Sequence, residues 1–222
     1  MKNLAGLFLS LMIVAVLAAC GDSSKKATSS AGEVAEASNA AVSYAIEGSS
    51  LGWLAKKVTG QHNGSINVSN GEIKVESGAI TAGNFTIDMK TITVLDIPAD
   101  NENNGKLAGH LNSPDFFNTD SFPTADFAIT KVTALENNPD ANHIVYGNLT
   151  IKGITQEISF PAMVSIADDA LTAKAVFSID RTLWDIRYGS GKFFEDLGDK
   201  TIYDEFELTV DLNAKRSSMA MN

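Results

Sequence analysis

Apolar and polar residues alternate with a period of two, in run after run, from about residue 44 to residue 215. The plainest runs lie near the end. Leu171, Ala173, Ala175, Phe177 and Ile179 alternate with Thr172, Lys174, Ser178 and Asp180, and Phe206, Leu208, Val210 and Leu212 with Glu207, Thr209 and Asp211. Such spacing buries one side of a strand and wets the other. Earlier runs read the same way: Tyr44 and Ile46; Ile66 and Val68; Ile73 and Val75; Phe85, Ile87 and Met89; Ala125, Phe127 and Ile129; Val145, Leu149 and Ile151; and Ile158 to Ile166 on one face. Asn70-Gly71 predicts a type I′ hairpin turn, and Lys152-Gly153 a second turn. Phase slips near Lys90-Thr91 and at Val132 predict bulges. Eight or nine strands follow at hairpin spacing. No helical pattern separates them, so the sheet is antiparallel, closed as a barrel or stacked as a sandwich.

Helix is scarce. Leu107 and Leu111 predict one or two turns, Ser113-Pro114 reads as an N-cap with proline at the first helical position, and a third short helix is expected over residues 193–197. The stretches DNENNG and ENNPDAN read as exposed loops. Residues 179–208 stand apart. Trp184, Tyr188, Phe193 and Phe194 give this segment more aromatic surface than a plain turn carries.

The N-terminus changes the picture. Lys2, an apolar run from Leu4 to Leu17, and Leu17-Ala18-Ala19-Cys20 form a signal peptide over residues 1–19 ending in a lipobox. Cys20 is the single cysteine, so its place at the cleavage point argues for lipidation. Acylation there would anchor the chain to a membrane. Residues 20–41 hold no Leu, Ile or aromatic residue and read as a flexible tether. The domain is expected over residues 42–215, with a disordered tail over 216–222. Some 170 residues bury a sizeable core. With 17 Lys+Arg against 27 Asp+Glu, the chain has no basic stripe for nucleic acid.

Candidate chemistry is sparse. Gly48-Ser49-Ser50-Leu51-Gly52 matches G-x-S-x-G, but the strand-turn-helix setting that makes Ser50 a nucleophile is missing. His62, His110 and His143 lack metal-ligand spacing. Residues 100–111 begin like a calcium loop, but Leu111 stands where a bidentate Glu is needed. No metal and no cofactor are expected. Asp180-Arg181 and Asp185-Arg187 read either as arginines holding an anionic head group at a pocket mouth or as internal ion pairs fixing the loop.

Four blocks carry a resemblance: HLNSPDFFNTDSFPTADF at residues 110–127, GNLTIKGIT at 147–155, residues 179–208, and the set Trp53, Lys57, Val58, Gly60, His62 and Gly64. Together, in this order, they resemble the YceI-like family over nearly the whole domain. The resemblance implies an all-β fold: an extended eight-stranded antiparallel lipocalin-like barrel with one or two short helices and an apolar tunnel. It also implies a long amphipathic lipid of the polyisoprenoid type, polyprenol or quinone, as ligand, in the periplasm. Where many relatives carry Arg-Asp, this chain has Leu107 and Ala108. The lipobox is a second departure.

Parity assigns the lumen to Phe85, Ile87, Met89, Phe127, Ile129, Leu149, Ile151, Phe160, Phe177, Ile179, Trp184, Phe193, Phe194, Phe206 and Leu208, with Arg181 and Arg187 as head-group candidates. The leading expectation is a non-enzymatic lipoprotein of the bacterial envelope, facing the periplasm or in the outer membrane. It would carry, store or sequester its lipid, with homodimer formation left open. The alternatives are a filled barrel acting as an interaction scaffold, and a lipid-modifying enzyme.

Overall fold

The computed structural model describes residues 31–217. The period-two runs become nine antiparallel strands: β1 (Val42–Ile46), β2 (Ser50–Lys57), β3 (Gly60–Glu76), β4 (Ala79–Val94), β5 (Thr124–Ala134), β6 (His143–Ile151), β7 (Ile154–Ile166), β8 (Ala170–Asp180) and β9 (Ile202–Arg216). One helix, α1 (Glu102–Asn112), lies between β4 and β5.

Nine strands fill eight places. β1 and β2 both pair with β3 on one side and β9 on the other. They are one strand, broken where Gly48 adopts a φ of +58°. Ser49 mends the break: its Oγ accepts the Asn213 N–H at 2.9 Å and donates to the Asn213 carbonyl at 3.1 Å. Pairing of β3 with β4 completes the ring, so the sheet is a closed eight-place antiparallel barrel. Closure leaves no unpaired edge along the lumen.

The Asn70-Gly71 turn does not form. β3 continues through it for 17 residues, with a register shift between Val68 and Asn70, then Asn70 opposite Thr86 and Gly71 opposite Phe85. Gly71 is needed for close packing: a Cβ there would lie 2.5 Å from the Asn84 carbonyl oxygen and 2.9 Å from the Phe85 ring. The chain turns instead at Ser77-Gly78, both at positive φ. Lys152 and Gly153 do make their expected turn, with φ of +50° and +74°. Register shifts occur between Asn67 and Ser65 opposite residues 88–93, and between Ile129 and Lys131, where the parity slips.

The helix is longer than expected and starts elsewhere. Asn101 caps it, accepting the Asn103 N–H at 3.0 Å, so DNENNG supplies a cap and a first turn rather than a loop. Ser113 is the C-cap, its Oγ donating to the His110 carbonyl at 2.8 Å, and Pro114 stands just past the stop. Residues 193–197 form no helix, and a single 3₁₀ turn follows at Gly198–Lys200.

Cys20, the signal peptide, the first part of the 20–41 stretch and residues 218–222 lie outside the described residues. Residues 31–41, read above as part of a tether, lie against the barrel wall. Asn148 on β6 accepts the Gly32 N–H and donates to the Gly32 carbonyl, both at 2.8 Å, and the Ala35 N–H reaches the Ile129 carbonyl at 2.9 Å. An amide side chain can hold a backbone this way without apolar contact, which is why composition gave no sign of it.

The barrel end away from α1 is sealed. Tyr44, Ile73, Val75, Leu171, Leu212 and Ala214 form a cluster there, and the Tyr44 hydroxyl donates to the Ala167 carbonyl at 3.0 Å. A larger apolar cluster lines the rest of the interior up to α1.

Candidate functional site

Inside the barrel lies a cavity of about 100 Å³. That is several times the ~10–15 Å³ that one water needs by the same measure. Its wall is apolar. Eight of the residues assigned by parity line it: Phe85, Ile87, Phe127, Ile129, Leu149, Phe160, Phe177 and Leu208. Four of the phenylalanines form a continuous band across β4, β5, β7 and β8. Phe85 stacks on Phe127 with centroids 6.1 Å apart, Phe127 meets Phe160 at 5.8 Å, and Phe160 lies parallel to Phe177 at 4.1 Å. Gly147 on the intervening β6 makes room for this band, since a Cβ there would sit 2.2 Å from the Phe127 ring.

Met89, Ile151, Ile179 and Trp184 are buried as expected but pack in the core rather than on the cavity wall. Trp184 is fully enclosed, and its Nε1 donates to the Leu149 carbonyl at 3.0 Å. Phe206 lines a second chamber of about 50 Å³, bounded by Trp53, Ile66, Ile92, Leu111, Phe116, Phe117 and Ile186 among others. Phe193 and Phe194 are corrections: they are 44% and 49% exposed and touch neither cavity. The loop carrying them is pinned from inside by Ser190, which accepts both of their backbone N–H groups and is itself wholly buried. Their rings are left on the surface, where the Arg187 guanidinium lies 4.7 Å from the Phe193 ring centre.

The arginines do not present free guanidinium groups to the main cavity. Arg187 is exposed and paired with Asp185. Arg181 is 4% exposed and borders the second chamber, but its donors are committed. Nε reaches the Tyr203 carbonyl at 3.2 Å, Nη1 the Ile186 carbonyl at 2.9 Å, and Nη2 the Ile202 carbonyl at 3.2 Å and Asp204 at 3.5 Å. Burial pushes its pKa down from the usual arginine range, opposed by Asp204 and Asp180. This side chain ties the 181–203 loop together from within.

Asp180 does related work. It caps the 3₁₀ turn Arg181–Trp184 through the Thr182 N–H at 2.9 Å, accepts the Thr182 hydroxyl at 2.6 Å, and pairs with Lys192. Burial alone would raise its pKa. The hydrogen bonds from Lys192 and Thr182 outweigh that, and the carboxyl sits below its usual value. A depressed folded pKa stabilises the fold above the unfolded pKa of ~3.9 and loses that contribution as pH falls through the folded value. Asp180→Asn should therefore be less stable than the parent at pH 7, and the gap should close as the pH drops from about 5 toward 2. Urea unfolding across that range checks it; a gap independent of pH contradicts it.

The remaining candidates are structural. Ser50 sits inside β2, paired with β3 and β9. His62 hydrogen-bonds Asp96 at 2.8 Å, and His143 bonds Asn142 at 2.8 Å. His110 meets Tyr188 and Phe116 edge-on at 4.5 and 4.9 Å. Among the described residues, no three His, Cys, Asp or Glu side chains come together as a metal site. No described helix is long and apolar enough to cross a membrane.

Of the second chamber parity assigned only Phe206, although Trp53 and Ala55 alternate along β2. The Lys56-Lys57 pair and the glycines around Trp53 blur that signal. Ile186 and Phe116 lie outside strands and helices, where no period exists to read.

A closed antiparallel barrel around an apolar cavity is the architecture of lipocalin-like barrels, which can enclose one small ligand. The chain belongs to the YceI-like family: residues 38–214 match the YceI-like domain. Among curated relatives, a UPF0312 protein of Shewanella baltica is 28% identical over 99 residues, 45% of this chain and 47% of the relative. The chain thus spans about half the length of the curated relatives it matches. Among solved structures, BcnA of Burkholderia cenocepacia superimposes with a TM-score of 0.58 at 20% identity, covering 75% of this chain and 96% of that one. A polyisoprenoid-binding domain from Saccharophagus degradans, implicated in plant cell wall breakdown, gives 0.55 at 10% identity, covering 79% and 99%. At these identities the two structures establish the fold.

Proposed function

We propose that this protein is a lipid-anchored envelope protein that holds one long isoprenoid-type lipid, of the polyprenol or quinone class, inside its barrel for transport, storage or sequestration. The carrying observation is the apolar cavity with its band of four phenylalanines. Aromatic and branched aliphatic walls suit a methyl-branched chain, and burial of that chain supplies the affinity. The polyisoprenoid-binding neighbour supports the same ligand class. A cavity well above water size weighs against the filled scaffold, and Asp180, Asp185 and Arg187 are spent on the loop rather than aimed at a lipid.

The anchor reading rests on the lipobox at Cys20. Gly32, held by Asn148, is 12 residues further on, so the barrel would stand within roughly 40 Å of the acylated cysteine. A nonaprenol added to purified protein should give a one-to-one adduct in native mass spectrometry. Protein stripped of lipid that takes up none counts against the reading.

A further inference from the structure

We propose that the second chamber, beneath α1, is a head-group subsite for a neutral oxygen, a hydroxyl or ketone rather than a phosphate, and that the Trp53 indole N–H is its donor. This deepens the tunnel reading and rests on it.

The main cavity has an apolar wall and suits the hydrocarbon chain. The second chamber is next to it along the lumen. The two share no lining residue, and Trp53 of the second pairs across the sheet with Leu208 of the first. Gly64, opposite Trp53 on β3, sets the indole in place: a Cβ at residue 64 would lie 2.6 Å from the indole ring. Trp53 is 8% exposed, and its Nε1 is buried without a hydrogen-bond partner. The contrast with Trp184, whose Nε1 is satisfied by the Leu149 carbonyl, is direct. Among the described residues Trp53 Nε1 is the sole buried side-chain donor in this state; the other unpartnered buried atom, Gln156 Oε1, is an acceptor. A buried N–H of this kind gains by meeting an acceptor.

Charge decides which acceptor. Arg181 is the one cation on the chamber wall, and three backbone carbonyls and Asp204 occupy its guanidinium. A phosphate would enter without a free counter-charge, and burying an unpaired anion is costly. A hydroxyl or ketone oxygen needs a single donor.

The test uses the mature full chain and three probes of one chain length: a nonaprenol, its diphosphate and the corresponding headless hydrocarbon. Wild-type protein should bind the alcohol at least about tenfold more tightly than the diphosphate. Trp53→Phe should weaken the alcohol about 3- to 10-fold and change the hydrocarbon by less than about twofold. In wild-type protein the Trp53 indole N–H resonance should move on adding the alcohol and stay in place on adding the hydrocarbon, a readout independent of how well the variant folds. A diphosphate that binds as tightly as the alcohol, an equal loss for alcohol and hydrocarbon, or an indole signal indifferent to the alcohol overturns the proposal and leaves the tunnel standing. Wild-type protein that takes none of the three overturns both.

Discussion

Phe177→Asp should abolish lipid uptake, with affinity falling by at least about 100-fold, and should lower stability by about 3–5 kcal/mol. Phe177 stacks on Phe160 at 4.1 Å and continues the band through Phe127 to Phe85. Truncation removes that stack, and the carboxylate then faces an apolar cavity wall where it must either stay charged at high cost or take up a proton. Domains of this size are stable by about 5–15 kcal/mol, so the variant is expected to remain folded, though weakened. Phe177→Leu separates the two effects: it keeps an apolar wall, so uptake should persist at reduced affinity. Uptake by titration and unfolding in urea are measured together. A folded Phe177→Asp protein that binds a nonaprenol like the parent contradicts the placement of the ligand.

Arg181→Met should cost about 3–5 kcal/mol in stability, the range for removing one partner of a buried charged network. The buried guanidinium satisfies the carbonyls of Ile186, Ile202 and Tyr203 at once, joining the 3₁₀ turn to the start of β9. Methionine fills the volume but donates nothing, and each orphaned carbonyl then carries its own desolvation cost. Arg181→Lys should recover little, because an ammonium cannot reproduce the planar fork that reaches three acceptors. The urea midpoint reports the result. A loss under about 1 kcal/mol would show that the loop is held by other contacts.

The fold was legible where the side chains alternate without interruption. β7, β8 and β9 carry the period-two pattern, and their inward residues Phe160, Phe177 and Leu208 do line the cavity. The phase slips near Lys90 and Val132 were legible too, because parity cannot change without an extra residue. Asn70-Gly71 misled for a physical reason. A local turn preference is worth little against a strand paired along its whole length, and the glycine answers to the nearby Asn84 carbonyl rather than to a turn. Ser113-Pro114 misled because the same pair suits either end of a helix: proline is tolerated just inside the start and just past the stop.

The site was half legible. Parity names inward residues, but it cannot say which inward residue borders empty space and which packs against a neighbour. Ile151 and Ile179 are inward and buried yet off the cavity wall, while Ala162 and Ala175, on the same alternating faces but left out of the lumen assignment, form part of it. Phe193 and Phe194 sit in a loop whose course is fixed by buried Arg181 and Ser190, contacts that no spacing rule encodes. The Gly32–Asn148 pairing spans 116 residues and left no mark on composition.

Organic extraction of the protein purified from its native envelope, followed by mass spectrometry of the extract, is the most direct measurement. One isoprenoid-type lipid per barrel, absent from a Phe177→Asp preparation handled in parallel, is the predicted result. An extract holding no such lipid, from protein that also takes up no added polyprenol or quinone, would contradict the account.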